Sequence, residues 1–175
     1  MPNTTYTPLP IPPAALDELR GTDDAGRTPT PFTARRGPAP VDCVGSPLRC
    51  CLRAAEEGER VALVSYAPLR RWARASGAAP GAYDEVGPVF VHADACGGPD
   101  PTAEGYPFAR PGALRTLRRY DAAGRIVGGR LFEIPQNAAA GFDSAFAEAF
   151  AEPEVVLVHV RAVEHGCFHF EVRRG

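Results

Sequence analysis

Residues 157–172 read LVHVRAVEHGCFHFEV, an apolar stretch that also carries His159, Arg161, Glu164, His165, Cys167, His169 and Glu171. An imidazole beside a carboxylate is an acid/base combination, because the carboxylate raises the imidazole pKa and fixes its tautomer. His159 with Glu171 supplies such a pair, and Arg161 a guanidinium able to hold negative charge. His169 and Cys167 add a second imidazole and a thiol. Whether these groups meet depends on how the segment folds.

Two segments share a turn pattern, YDAAGRI at 120–126 and AVEHGCF at 162–168. A type I turn followed by a left-handed glycine closes a three-residue hairpin loop, so Gly124 and Gly166 predict two β-hairpins. With Glu164, His165 and Gly166 as the second loop, Val163 faces Cys167, Arg161 faces His169, and His159 faces Glu171, all on one side. The other side pairs Ala162 with Phe168, Val160 with Phe170 and Val158 with Val172, a continuous apolar surface. Val155, Leu157 and Val163 also point to the polar side, so bulk water suits it poorly. Two readings stand: the wall of a small-molecule pocket, or a solvated face with ordinary cross-strand pairs.

The first hairpin is expected to place Thr116, Arg118, Tyr120, Ile126, Gly128 and Arg130 on one face. Arg118 and Arg130 would then form a clamp for a carboxylate or phosphate, and the paired glycines of IVGGR leave room above the backbone. A solvated basic strand is the alternative. His92 and Cys96 lie in HADAC at a strand end and, with Cys167, His159 or His169, offer nitrogen and sulfur ligands for zinc. No CxxC or HExxH spacing occurs, so no metal site is assigned, and His92 is placed among the substrate-lining groups. Adjacent Cys50 and Cys51 match neither a redox nor a ligand motif and read as buried structural thiols. Cys167 is the thiol best placed for reactivity, with a structural role as its alternative.

The elements that must position these groups are short. VALVSY (61–66) and VGPVFVH (86–92) read as strands, Pro88 marking an edge or a start. LRRWARASGAAPGAY between them reads as a short helix and a Gly/Pro loop. Phe142, Ala145, Phe146, Ala149 and Phe150 recur at helical spacing ahead of Pro153. Together they predict an α+β fold: a mainly antiparallel sheet built from hairpins with a helix on one face. Residues 1–40, rich in proline, are expected as an extended arm with a short helix in AALDELR, and 41–175 as one domain.

The bulk properties narrow the function classes. With 175 residues, 45% of them hydrophobic, and a net charge of -2, the chain is neither a disordered polar segment nor a basic nucleic-acid binder. It contains no lysine, all 19 cationic side chains being arginine. A lysine Schiff base and a P-loop are therefore excluded. No apolar run is long enough for a membrane span and the start lacks a signal pattern, so a cytoplasmic location is expected. Five cysteines in a reducing compartment argue against a disulfide framework.

The segments CLRAAEEGERVALVSYAP, EVGPVFVHADAC, LRRYDAAGRIV and VHVRAVEHGCFHFEV, in this order, resemble the family catalogued as domain of unknown function 1203. The resemblance spans about residues 43–174 and implies no reaction, so it assigns no functional residue. It implies that Leu48 and Phe170 stand where members often carry cysteines, which argues against a four-cysteine metal site. It also implies that LRRWARASGAAPGAY is longer than usual, an insertion that could specialise this chain within a biosynthetic pathway.

The expectation from these observations is a small enzyme acting on an anionic or carbonyl-bearing metabolite by acid/base chemistry, of isomerase, cyclase or hydrolase type, without an organic cofactor. His159, Glu171, Cys167 and His169 would form its catalytic group, and Arg161, Arg118, Arg130 and His92 its substrate contacts. A non-catalytic ligand-binding or interaction domain, including a homodimer, is the alternative. A thiol/histidine metal-binding or redox protein is the third.

Overall fold

The computed structural model describes residues 4–39 and 42–175, so the expected boundary between arm and domain at 40/41 lies outside the described residues. The chain divides into two compact units, Pro10–Tyr66 with Val86–Asp100, and Met1–Leu9 with Ala67–Glu85 and Pro101–Gly175.

The first of these opens with helix α1 (Pro13–Gly21), which starts on a proline, the residue whose missing N–H costs nothing at a helix start. It buries Leu16 and Leu19. Five strands follow: β1 (Phe32–Thr33), β2 (Pro47–Leu48), β3 (Arg53–Ala54), β4 (Arg60–Tyr66) and β5 (Gly87–His92), arranged β1-β4-β5-β2-β3. β4 and β5 are the predicted strands and pair antiparallel from Val61↔His92 to Tyr66↔Gly87, with Pro88 near the start of β5. The exception to antiparallel pairing is β2, which lies parallel to β5 through Leu48↔Phe90. Parallel neighbours end at the same edge, so the turn after β2 and the loop after β5 leave the sheet side by side.

The second unit carries helix α2 (Pro68–Ser76), strands β6 (Leu114–Tyr120) and β7 (Ile126–Glu133), helix α3 (Ala138–Ala151), and strands β8 (Leu157–Ala162) and β9 (Phe168–Arg173). Its sheet runs β7-β6-β8-β9, antiparallel throughout. Asn137 caps α3 by accepting from the Ala140 N–H at 3.2 Å. Phe142 and Phe146 of α3 are fully buried, and Phe142 lies 6.2 Å from Phe170 and 5.0 Å from Phe132 between ring centroids. Each such ring stabilises the fold by about 1.5–3 kcal/mol through burial alone. The sequence anticipates this helix-covered face. The opposite face is covered too: Leu69, Trp72 and Ala73 of α2 form a buried cluster with Tyr120 and Leu157. α2 then ends on Gly77, left-handed at φ 77°.

Both hairpins form where the glycines predict, with Gly124 at φ 83° and Gly166 at φ 67°, but each contains a bulge that the turn pattern does not reveal. In the first, Tyr120 faces Ile126 as expected, whereas Arg118 faces Gly129 and Leu117 faces Arg130. One extra residue in β7 moves everything beyond it to the other face, because side chains alternate every residue. In the second, His159↔Glu171, Val160↔Phe170 and Val158↔Val172 hold, but Arg161 faces Phe168 rather than His169. The result is an α+β fold of two mostly antiparallel sheets, neither closed into a barrel. Among the described residues no helix is long and apolar enough to cross a membrane.

Candidate metal centre and polar sheet face

Three side chains of the first unit converge because of the parallel β2–β5 pair. Cys50 and Cys51 occupy the turn leaving β2, and His92 is the last residue of β5. The turn is bent by Leu52, which holds a left-handed φ of 58°, a conformation rare for a bulky residue. The Leu52 N–H closes it on the Leu48 carbonyl at 2.9 Å. Cys96 follows in the loop after β5, and Arg20 of α1 steadies that loop by donating from Nε to the His92 carbonyl at 3.1 Å and from Nη2 to the Asp94 carbonyl at 2.9 Å.

The ligand atoms of Cys50, Cys51, His92 and Cys96 all lie within 4.8 Å of one another. Sγ of Cys50 is 3.9 Å from Sγ of Cys51, and Nδ1 of His92 is 3.3 Å and 3.8 Å from the two sulfurs. A tetrahedral zinc site with metal–sulfur bonds of about 2.3 Å and metal–nitrogen bonds of 2.0–2.1 Å has edges of about 3.8 Å between sulfurs and about 3.5 Å between sulfur and nitrogen. The spacings among Cys50, Cys51 and His92 therefore match three edges of such a tetrahedron, and Cys96 lies within 4.8 Å as the fourth donor.

The outer shell matches as well. Nε2 of His92 lies 3.2 Å from Oε1 of Glu59, placed there because β4 starts opposite the end of β5. Arg53 of β3 grips both oxygens of Glu59, one of the bonds measuring 3.1 Å. That grip, against a smaller opposing effect of burial, holds the Glu59 carboxyl down to about 2. A carboxylate on the far nitrogen commits Nδ1 to the thiols. Cys50 donates to Cys51, whose thiol is pushed down to about 6 by that bond, against burial, with help from the Arg53 N–H and the His92 and Arg53 charges. Cys50 is raised, chiefly by the same bond and by burial, although the His92 N–H donates to its sulfur at 3.2 Å. The hydrogen bond thus favours ionisation at Cys51 over Cys50, and the thiolate is the form that binds metal.

The residues expected to form an active site lie mainly in the second unit. His159 faces Glu171 as anticipated, Nε2 to Oε2 at 3.4 Å, but the ring is 0% exposed. It packs against Tyr120 and Phe168 at centroid distances of 4.7 and 5.1 Å, and Nδ1 has no hydrogen-bond partner among the described residues. Burial lowers its pKa and outweighs the upward pull of Glu171, so the expected rise is reversed and His159 is neutral. Burial opposes ionisation of Glu171, yet His159 and Arg173 together lower its pKa. Arg173 Nε donates to Oε1 at 2.8 Å.

His169 is displaced by the β9 bulge and packs on Phe108 at 5.0 Å. Cys167 sits at the hairpin mouth with Sγ 3.7 Å from the His165 carbonyl. Arg118 and Arg161 approach one another through Glu85. Arg130 does not join them: the β7 bulge turns it to the α3 face, where it shares Glu148 with Arg119. His92 belongs to the cysteine cluster rather than to this face. Cys50, Cys51, Glu59 and Arg53 are not assigned from the sequence because they meet only through the pairing of β5 with both β2 and β4 and of β2 with β3; the one available signal is the cysteine doublet beside a strand end.

Two features define this chain, an α+β architecture and a cluster of three cysteines and a histidine whose ligand atoms lie within 4.8 Å of one another. By sequence it belongs to the family described as protein of unknown function (DUF1203), whose profile matches residues 45–174. Comparison with curated proteins finds no match, and comparison with solved structures finds none.

Proposed function

We propose that the chain is a metal-binding protein whose unit of Pro10–Tyr66 and Val86–Asp100 takes one zinc-type divalent ion on Cys50, Cys51, His92 and Cys96. The observation that carries this reading is the agreement of the sulfur–sulfur and sulfur–nitrogen spacings with tetrahedral edges, together with Glu59 on the far side of the imidazole. Four protein ligands leave no coordination position for substrate, which is the pattern of a structural centre. The ion would tie the turn after β2 and the loop after β5 to the sheet, elements too short to hold themselves by strand pairing. The test is metal analysis and cobalt(II) titration of the purified chain. One ion per chain, thiolate-to-cobalt absorption, and loss of both in Cys50→Ser support the reading; a chain that takes up neither zinc nor cobalt overturns it.

A second reading, acid/base catalysis at His159, draws support from its pairing with Glu171. Full burial of the ring weighs against it, since a general base must reach the proton it abstracts.

A further inference from the structure

On the sheet face that carries His159, two guanidinium groups meet a single carboxylate oxygen. Nη1 of Arg118 donates to Oε2 of Glu85, and Nη1 of Arg161 lies 3.6 Å from the same atom. The Arg118 and Arg161 side chains are 24% and 13% exposed, against 50% for Glu85. Two mostly buried cations therefore share one half-exposed anion. His159 supplies no charge, and Glu171 is bonded to Arg173. Arg161 donates Nε to the Gly166 carbonyl at 3.0 Å, which leaves most of its five N–H donors for another acceptor. Removing a charge from water is costly unless it is paired, so the second guanidinium favours a second negative group.

The surroundings specify the rest of that group. Across the strands Gly129 faces Arg118, and Leu131 faces Thr116, itself opposite Arg161. Leu131 is 64% exposed and Leu114, on the same face two residues from Thr116, 37%. A Cβ on Gly129 would meet only the Leu117 carbonyl, at 3.6 Å, so the floor beside Arg118 is open. Two exposed leucines, with Thr116 between them and Glu133 opposite Leu114, lie beside the paired guanidinium groups, an arrangement complementary to a molecule with a short hydrocarbon body and one carboxylate.

We propose that this face binds a small organic carboxylate with an apolar tail, its carboxylate replacing that of Glu85 on Arg118 and Arg161. Glu85 is then an internal occupant, poised at the end of a segment that Arg70 and Asp84 anchor at 2.8 Å. The proposal rests neither on the metal centre nor on proton transfer by His159.

Isothermal titration of the full chain with octanoate tests it, with octanol as the uncharged counterpart. Saturable octanoate binding is expected, tightened about fivefold or more in Glu85→Gln because the internal competitor is gone. Arg161→Gln and Arg118→Gln should abolish it while octanol binds none of the variants measurably. Equal octanoate affinity in the wild type and Glu85→Gln overturns the proposal, as do octanol binding as tight as octanoate binding and an absence of saturable binding in both chains. Should Arg161→Gln unfold, Glu85→Gln and Arg118→Gln still decide the matter. Zinc content should be unchanged in Glu85→Gln, which separates this site from the metal centre.

Discussion

Oε1 of Glu59 lies 3.2 Å from Nε2 of His92, while Nδ1 of the same ring faces Cys50 and Cys51 at 3.3 and 3.8 Å. The carboxylate orients the imidazole and selects the nitrogen that is free to bind metal. Replacing Glu59 by Gln keeps the shape but removes the charge. The expected outcome is a zinc affinity lower by about 10–100-fold with the ion still bound in a one-to-one ratio, measured by competition with a chromophoric chelator.

The metal-free protein should reveal the unequal thiols. Cys51 is held well below the ordinary thiol range and Cys50 above it, chiefly by the hydrogen bond between them. Thiolate ultraviolet absorption should therefore rise through a step below the ordinary thiol range that Cys51→Ser removes and Cys167→Ser retains. Loss of Cys50 should move the step upward, because its donated hydrogen bond is the largest single effect lowering Cys51. Zinc affinity should fall as pH drops, since protons then compete for the sulfurs.

His159 is best tested through stability. Its pKa is lowered in the fold, so the unfolded chain binds the extra proton first as pH falls below the ordinary value of 6.5. Its neutral form is fully accommodated above that value, and stability should decline on acidification from about pH 7 toward 5, with a slope of at most about 1.4 kcal/mol per pH unit. Urea unfolding across that range should show the slope in the wild type and not in His159→Phe. A slope of the same size in both would remove His159 as its source. His159→Ala should cost about 2–4 kcal/mol at neutral pH by leaving a cavity between Tyr120 and Phe168.

Gly141 in α3 offers a contest of known terms. Alanine there should gain about 1 kcal/mol of helix propensity. Yet its Cβ would stand 2.4 Å and 2.6 Å from Cγ and Cδ of Pro135, and a proline ring cannot rotate away. Overpacking of this kind costs about 1–3 kcal/mol, so Gly141→Ala should lower the thermal midpoint. An unchanged or raised midpoint would show that the 134–137 segment yields easily.

What local chemistry specifies was legible. The left-handed glycines at 124 and 166 placed both hairpins, the spacing of Phe142, Phe146 and Ala149 placed α3 and its buried stripe, and two-residue alternation placed His159 opposite Glu171. Each of these follows from a few neighbouring residues whose backbone preferences or periodicity do not depend on the rest of the chain.

Tertiary structure decided everything that required a count across strands. A single bulged residue in β7 sent Arg130 to the opposite face from Arg118, and another in β9 separated His169 from Arg161, because register errors of one residue invert side-chain direction while leaving local propensity untouched. Packing also settled His159: α2 covers the neighbouring Tyr120 and Leu157, and burial overcame the carboxylate's effect on the imidazole. The cysteine/histidine cluster arose from the parallel contact Leu48↔Phe90, a pairing between distant segments that no short spacing encodes. Residue types and local conformation belong to the sequence, but the meeting of ionisable groups depends on long-range pairing, whose free energy comes from burying both sheets.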